Sequence, residues 1–206
     1  MIPRGQLGGA VLAGGRSRRM GANKARLRVG GGPLWRRQRR LLRKAGAAPV
    51  LIVQAAGQRA LGRGVVRDRV RDAGPLAGLQ AALEACPRPW LAVLAVDLPS
   101  IDADWFRWLA GPCRAGVGAV VRTPAGYEPL VAIYPREALP RASAQLAAGD
   151  YSLQHLVATL VRARRLRVLR AGAGRRRQLT NLNSPADLAR LRSAPAGGPA
   201  PGKTPR

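Results

Sequence analysis

Near its start the chain reads Ala10-Val-Leu-Ala-Gly-Gly-Arg-Ser-Arg-Arg-Met-Gly-Ala-Asn-Lys24. The apolar residues at the beginning predict a buried strand, and the glycines after it predict a tight loop whose backbone can approach a ligand closely. Backbone N–H groups in such a loop can hold phosphate oxygens. The loop lacks the Gly-Lys-Ser/Thr ending of a Walker A motif and the Gly-x-Gly-x-x-Gly pattern of dinucleotide-binding folds. The stretch therefore predicts an α/β fold that binds phosphate in another way.

Short apolar runs alternate with helical stretches along the rest of the chain. We predict further strands over 49–53, 64–68, 90–96, 117–121 and 130–134, and helices over 33–46, 76–85 and 102–110. This alternation predicts βαβ units, and parallel crossovers are right-handed. We therefore expect a Rossmann-like three-layer α/β/α sandwich with a mainly parallel central sheet. It should form one domain over 1–192, followed by a disordered tail rich in Pro, Gly and Ala over 193–206.

The chain is strongly basic, with 36 Lys and Arg against 10 Asp and Glu and a formal net charge of +26. Such a charge suits a polyanionic partner such as nucleic acid. Aromatic residues make up only 4% of the chain, so stacking platforms for single strands are scarce. Because Arg is scattered over predicted helices and loops alike, the charge also has a purely compositional explanation. Either explanation is compatible with an enzyme whose ligands are phosphates.

The two cysteines and the single histidine leave few options for a disulfide framework or for a metal site built on Cys and His. Cys86 and Cys113 lie far apart and form no C-x-x-C motif, so neither a disulfide framework nor a cysteine zinc site is indicated. His155, the single histidine, lies in an apolar helical run and is expected to have an ordinary packing role. The sequence has no membrane-spanning apolar stretch and no signal peptide, so we expect a cytoplasmic protein.

Two carboxylates directly follow predicted strands. Asp97 ends the run over 90–96 and stands before a turn at Pro99, and Asp68 ends the strand over 64–68. Ligands of parallel sheets bind at the carboxyl ends of the strands, and Mg²⁺ takes one or two carboxylates together with substrate phosphates and water. Asp97 is therefore a candidate metal ligand, and Asp68 could accept hydrogen bonds from guanine or bind a ribose. Alternatively, Asp97 caps the next turn, and Asp68 pairs with one of the many arginines.

Other polar and small residues are candidates for the same site. Arg19 and Lys24 supply positive charge for a triphosphate, and Gly78 permits close packing of a nucleotide. Near the end of the chain, Ser184 and Asp187 are typical of a helix N-terminus. That assignment leaves Asn181 and Asn183 as candidates for polar contacts in a cleft.

Together these segments resemble the molybdenum cofactor guanylyltransferases, the MobA family. The matching segments, which follow one another in family order, are L-A-G-G-x-S-x-R-M-G-x-x-K (12–24), V-x-D (66–68), G-P-L-A-G (74–78), V-D-L-P (96–99) and N-x-N-S-P-x-D-L (181–188). The resemblance implies a fold of the nucleotide-diphospho-sugar transferase type. It also implies that the nucleotide is bound by Leu12, Ala13, Gly14, Gly15, Lys24, Gln54, Asp68, Gly78 and Asp97. Arg19, Lys24 and Asp97 would be catalytic, and Asn181 and Asn183 would bind the acceptor.

The resemblance further implies an activity. Such an enzyme transfers GMP from Mg-GTP to molybdopterin, releases pyrophosphate and forms the guanine dinucleotide cofactor, with Mg²⁺ as the metal. We expect transient contacts with other cofactor-biosynthesis proteins or target molybdoenzymes, and we expect binding to neither membrane nor nucleic acid. Two positions depart from the family: Asn23 replaces an acidic residue, and Gln54 replaces an Asn that often ends the second strand. These departures bear on base specificity.

Three other functions remain open from the sequence. The first is a related nucleotidyltransferase, such as a molybdopterin cytidylyltransferase or a sugar-phosphate nucleotidyltransferase. The second is a basic nucleic-acid-binding protein, and the third is a nucleotide-binding regulatory module without turnover. The enzymatic interpretation requires one arrangement above all: Lys24 and Asp97 must face each other across a few ångströms at one edge of the sheet.

Overall fold

The computed structural model describes residues 2–14, 24–29, 31–62, 64–70 and 73–193. Its strands are β1 (Leu7–Leu12), β2 (Arg28–Val29), β3 (Gly32–Pro33), β4 (Val50–Gln54), β5 (Val65–Arg67), β6 (Trp90–Ala95), β7 (Gly118–Thr123), β8 (Gly126–Tyr127), β9 (Val131–Pro135) and β10 (Leu166–Arg170). Its α-helices are α1 (Leu34–Lys44), α2 (Gly74–Ala85), α3 (Ala103–Ala110), α4 (Leu139–Ala147), α5 (Leu153–Arg162), α6 (Ala173–Gln178) and α7 (Pro185–Ser193). The predicted disordered tail lies, apart from Ser193, outside the described residues.

One mixed sheet organises the molecule. Its strand order is β10-β7-β9-β6-β1-β4-β5, and the short β8 pairs with β7. The strand β9 runs antiparallel to β6 and β7, while the other neighbours along this order are parallel. The link from β7 through β8 to β9 is short, and a short link joins antiparallel strands more readily than parallel ones. Six parallel strands therefore end at one edge of the sheet, which we call the carboxyl rim, and β9 begins there.

Helices cover both faces of the sheet. On one face α1 and α3 pack against a cluster that includes Val11, Ile52 and Leu94. On the other face α2, α4 and α5 pack against a cluster that includes Leu12 and Val93. Neighbouring residues of a strand point to opposite faces, so a strand covered on both sides is apolar throughout. The six residues of β1 and of β6 are accordingly all buried.

The predicted elements and architecture are confirmed, with boundaries that shift by at most three residues, the largest shift being at the start of β1. The sequence prediction missed the short strands β2, β3 and β8, and also α4, β10 and α6. The strand β10 lies at the edge of the sheet and two of its five residues are Arg, so it lacks the continuous apolar run that marks the central strands. Within the described residues, no helix combines the length and the apolar character needed to cross a membrane.

The packing role predicted for His155 is wrong. The residues of α5 that are buried, Leu153, Leu156, Val157 and Leu160, follow a helical stripe of spacing three and four, and His155 falls on the opposite face. Its side chain is exposed, and its Nδ1 contacts the carboxylate of Asp150. The apolar neighbours in sequence were misleading because the helix separates them from His155 in space.

Candidate active site

Lys24 and Asp97 face each other at the carboxyl rim. The Nζ of Lys24 lies 3.4 Å from Oδ2 of Asp97, and the two side chains are 18% and 30% exposed. Lys24 opens a short 3-10 turn after the loop that follows β1, and Asp97 stands two residues beyond β6. The strands β1 and β6 are neighbours at the point where the strand order reverses, which is where open α/β sheets bind ligands. The arrangement that the enzymatic interpretation requires is thus present.

A third polar side chain joins this pair from far along the chain. Lys24 Nζ donates a hydrogen bond to Oδ1 of Asn183 at 2.9 Å. The backbone N–H of Leu182 donates to the backbone oxygen of Asp97 at 2.8 Å. The segment before α7 is therefore tied to the turn after β6, and Asn183 is held beside the cation.

The start of α7 fixes the position of Asn183. Ser184 caps the helix: its Oγ accepts from the N–H of Asp187 at 3.1 Å, and the Asp187 carboxylate accepts from the N–H groups of Asn183 and Ser184. This reciprocal arrangement satisfies N–H groups that a helix start otherwise leaves unpaired. The helix start predicted at Ser184 is confirmed.

The turn that carries Asp97 is supported from behind by α1. Gln38 is fully buried, and its Nε2 donates to the backbone oxygen of Leu98 at 2.8 Å. Arg37 donates to the backbone oxygen of Pro99 at 3.2 Å. The sequence prediction missed both residues. A polar Gln between Leu34 and Leu42 on the apolar face of a helix is the pattern that could have revealed Gln38.

Gly14 allows two strand ends to approach closely. The N–H of Ala13 donates to the oxygen of Val53 at 2.8 Å, which continues the contact between β1 and β4. A Cβ on Gly14 would lie only 2.8 Å from the backbone nitrogen of Ala55. Any larger residue would therefore push the loops after β1 and β4 apart. The first glycine of the loop is needed here for contact with backbone, whatever it does for a ligand.

Gln54, at the end of β4, organises the loop that follows. Its side chain is fully buried, its Oε1 accepts from the N–H of Leu61 at 2.9 Å, and its Nε2 lies 3.3 Å from both Gln58 Oε1 and the oxygen of Arg59. Because these partners occupy the amide, the observed contacts favour a structural role. The nucleotide-binding role stays a prediction that these contacts do not support.

Asp68 lies on the flank of the rim formed by β5. Its N–H donates to the oxygen of Gln54 at 3.1 Å, and its Oδ1 accepts from the N–H of Ala56 at 3.1 Å. Partial burial raises the pKa of Asp68, while the Ala56 hydrogen bond and the nearby Arg67 act in the opposite direction. A carboxylate held in this way can accept hydrogen bonds from a ligand through its second oxygen.

Three small or apolar site candidates lie beneath the rim. Leu12 and Ala13 are buried at the end of β1, and Gly78 is buried in α2 against the same strand. A Cβ at Gly78 would lie 3.5 Å from Val53 and 3.8 Å from Leu12, which are ordinary contact distances. The structure therefore places these residues beneath the carboxyl rim, and their nucleotide-binding role stays a prediction.

The second asparagine opens onto a neighbouring cleft. Asn181 is exposed and lines this cleft together with Pro99, Ser100 and Thr180. The cleft adjoins the Asp97 turn through Pro99 and Ser100. Gly15, Arg19 and the departure Asn23 lie outside the described residues, so the structure does not place them.

The geometry above has a counterpart in known proteins. Residues 9–176 match the model of the MobA-like NTP transferase domain. The chain belongs to this family. A curated relative from Opitutus terrae named "Probable molybdenum cofactor guanylyltransferase" is 53% identical over 191 residues, which cover 90% of this chain and 95% of the relative. The predicted nucleotidyltransferase class is thereby confirmed.

Solved structures show that the fold is the one predicted for a MobA-like NTP transferase. A nucleotidyl transferase from Methanothermobacter superposes with a TM-score of 0.70 at 19% identity, covering 91% of this chain and 96% of that one. The molybdopterin-guanine dinucleotide biosynthesis protein A from Archaeoglobus fulgidus superposes with a TM-score of 0.66 at 20% identity, covering 89% and 96%. Identities this low establish the architecture of this family member and leave its substrates to other arguments.

A metal would have to share its ligands with the substrate in this MobA-like chain. Among the described residues, no three His, Cys, Asp or Glu side chains come together. Asp97 offers a partly exposed carboxylate at the rim, and Mg²⁺ accepts such incomplete protein ligation when phosphates and water complete its shell. The donor set therefore fits a magnesium ion that enters together with a nucleotide.

Proposed function

We propose that this chain transfers GMP from Mg-GTP to molybdopterin and releases pyrophosphate. One observation carries the proposal: Lys24 and Asp97 lie 3.4 Å apart at the strand-order switch point of a MobA-like NTP transferase. The name of the 53% identical relative supports guanine as the base and molybdopterin as the acceptor. A basic nucleic-acid-binding protein would account for the net charge of +26 but not for Asp68 and Asp97 at one edge of the sheet.

The rim suggests how GTP would lie. Asp68 follows β5 and Asp97 follows β6, which are three strand positions apart, or about 14 Å. The base would sit beside Asp68, whose carboxylate can accept from guanine N1–H and the exocyclic amine. The phosphates would then extend across the end of β1 toward Lys24. We retain Leu12, Ala13, Gly14, Gly15 and Gly78 as nucleotide-binding residues on this basis.

Catalysis would rest on positioning and on charge. The terminal phosphate of molybdopterin attacks the α-phosphorus of GTP in line, the bond to the β-phosphate oxygen breaks, and pyrophosphate leaves. Lys24, together with Arg19, would stabilise the charge on the departing pyrophosphate. Asp97 would hold Mg²⁺, which neutralises charge on the reacting phosphates when it is bound. Asn183 would keep the Lys24 ammonium aimed at the phosphates.

The acceptor would occupy the other side of the pair. Asn181 lines the cleft next to the Asp97 turn, and Asn183 contacts Lys24 at 2.9 Å. We therefore retain both asparagines as acceptor-binding residues. Transient contacts with other cofactor-biosynthesis proteins or target molybdoenzymes, and a cytoplasmic location, remain part of this proposal.

An activity screen tests the proposal. Each of the four NTPs is mixed with molybdopterin, Mg²⁺ and the purified protein, and pyrophosphate release is followed. We expect release with GTP that depends on both Mg²⁺ and molybdopterin. A preference for CTP would make the chain a cytidylyltransferase instead, and GTP binding without any release would indicate a regulatory module.

The dependence of GTP affinity on pH tests the role of Asp68. The carboxylate must be ionised to accept both guanine donors, and partial burial raises its pKa. GTP affinity should therefore fall as the pH is lowered, starting at a higher pH than for an ordinary aspartate. Titration of GTP into the parent and into Asp68→Asn across the acidic range measures this. In Asp68→Asn, affinity should be weak throughout and should lose this part of its pH dependence; an unchanged profile would remove Asp68 from base recognition.

A further inference from the structure

A third carboxylate lies at the carboxyl rim, on the flank opposite Asp68. Glu128 stands between β8 and β9, and its N–H donates to the oxygen of Val121 in β7 at 2.8 Å. Two residues later, the oxygen of Leu130 accepts from the N–H of Ala95 at 2.8 Å, at the end of β6. Glu128 is thus within two strand positions, or about 10 Å, of β6, the strand that precedes Asp97. It lies on the side of β6 away from Asp68.

The backbone around Glu128 is held firmly. The Gln154 side chain bonds to both backbone groups of Tyr127: its Nε2 donates to the oxygen at 2.8 Å, and its Oε1 accepts from the N–H at 3.0 Å. Gly126 has φ +130°, and a Cβ there would lie 3.0 Å from the same Oε1. The tight turn before Glu128 therefore needs glycine, and α5 fixes the residue next to it.

The carboxyl group of Glu128 is partly buried and is not paired with a cation among the described residues. It is half-buried, its Oε1 lies 3.4 Å from Thr123 Oγ1, and no ion pair within the described residues includes it. This is notable in a chain of net charge +26. Burial raises the pKa of Glu128, which the Thr123 hydroxyl partly opposes. Burying part of a carboxylate without a cation costs free energy, and such groups cluster at functional sites.

We propose that Glu128 recognises the acceptor, its carboxylate accepting hydrogen bonds from the ring N–H and exocyclic amine of a pterin. This inference rests on the proposed function. Guanine and pterin present the same pair of adjacent donors, and the rim has one carboxylate on each flank of the Lys24–Asp97 pair. Asp68 on the β5 flank would take the guanine, and Glu128 on the β9 flank would take the pterin. Glu128 is then a specificity-determining residue.

Glu128→Gln tests the inference because it keeps the shape and replaces one acceptor oxygen by a donor. Glu137→Gln is the matched control: it makes the same change at an exposed residue beyond the other end of β9. We expect Glu128→Gln to raise KM for molybdopterin by about 10- to 100-fold, since a lost bond to a charged group has an effect of this size. The GTP-induced rise in Tm of Glu128→Gln should equal that of the parent. Glu137→Gln should have the KM for molybdopterin and the GTP-induced rise in Tm of the parent.

Competition by small pteridines adds a readout that a merely structural role would not move. Pterin carries the 2-amino group, and lumazine carries an oxygen in its place. Pterin should inhibit the parent more strongly than lumazine. In Glu128→Gln the ratio of the two inhibition constants should approach one. Equal inhibition of the parent by both compounds, or an unchanged preference in the variant, overturns the inference. If the parent releases pyrophosphate from GTP and molybdopterin but Glu128→Gln keeps the parent KM for molybdopterin, the inference about Glu128 is wrong and the proposed function stands. If the parent shows no such turnover, the proposed function itself is wrong.

Discussion

Asp97→Asn should lower kcat for pyrophosphate release by about 10²- to 10³-fold, the usual cost of removing one well-placed electrostatic group. The substitution keeps the size of the side chain and removes the charge that would hold Mg²⁺. Its neighbours should hold the turn in place, because Gln38 and Leu182 bond to backbone atoms of this turn and not to the Asp97 side chain. Steady-state turnover at saturating Mg-GTP and molybdopterin measures the loss.

Asp104→Asn provides the matched control for that experiment. Asp104 lies in α3, is 71% exposed and pairs with Arg107 at the surface, and exposed pairs of this kind contribute little to stability. The kcat of Asp104→Asn should equal that of the parent. Raising the Mg²⁺ concentration should partly restore the kcat of Asp97→Asn and should leave the kcat of Asp104→Asn unchanged. Turnover by Asp97→Asn at the parent rate would show that this carboxylate does not hold the catalytic metal.

Lys24→Gln should reduce kcat/KM for GTP by about 10²-fold or more, since Lys24 would neutralise the triphosphate and the departing pyrophosphate. If Lys24 binds GTP in the ground state as well as in the transition state, kcat should fall and KM for GTP should rise. Its GTP-induced rise in Tm should shrink accordingly, because ligand stabilisation follows affinity. Initial rates at varied GTP and thermal melts with and without Mg-GTP measure the two effects.

Lys44→Gln controls for the loss of one positive charge. Lys44 is exposed at the end of α1, away from the carboxyl rim. In a chain of net charge +26, a general electrostatic attraction of GTP would make the two lysines nearly equivalent. Similar kinetics for Lys24→Gln and Lys44→Gln would therefore remove the specific role of Lys24.

Much of the site follows from the sequence because strand ends of a parallel sheet share one edge. Once 10–13 and 90–96 are recognised as buried strands, the residues that follow them must lie at the same rim, and Lys24 and Asp97 are found there. The sequence predicted Asn183 as a candidate for polar contacts in a cleft, but its bond to Lys24 was not predicted, because it depends on where the last helix packs.

The parts that the sequence did not reveal depend on irregular backbone. Gln54 has the polarity expected of a ligand contact, but the path of residues 55–61 turns its amide inward, and no periodic pattern encodes that path. Glu128 reaches the rim only because the short link through β8 makes β9 antiparallel. Gln38 bonds to a turn 60 residues away, so its partner cannot be read from its own helix.

The bond from Lys24 to Asn183 spans 159 residues of sequence, and this separation has a consequence for how the protein is made. Domains fold during synthesis from the N-terminal end, and contacts between distant residues form late. Once the first 170 residues have left the ribosome, every strand of the described sheet is available, but Asn183, which holds Lys24, is not. The bond that holds Lys24 therefore forms only after Asn183 has emerged, so a product terminated before it would keep most of its core and the residues Lys24 and Asp97, yet lack the amide that fixes the lysine.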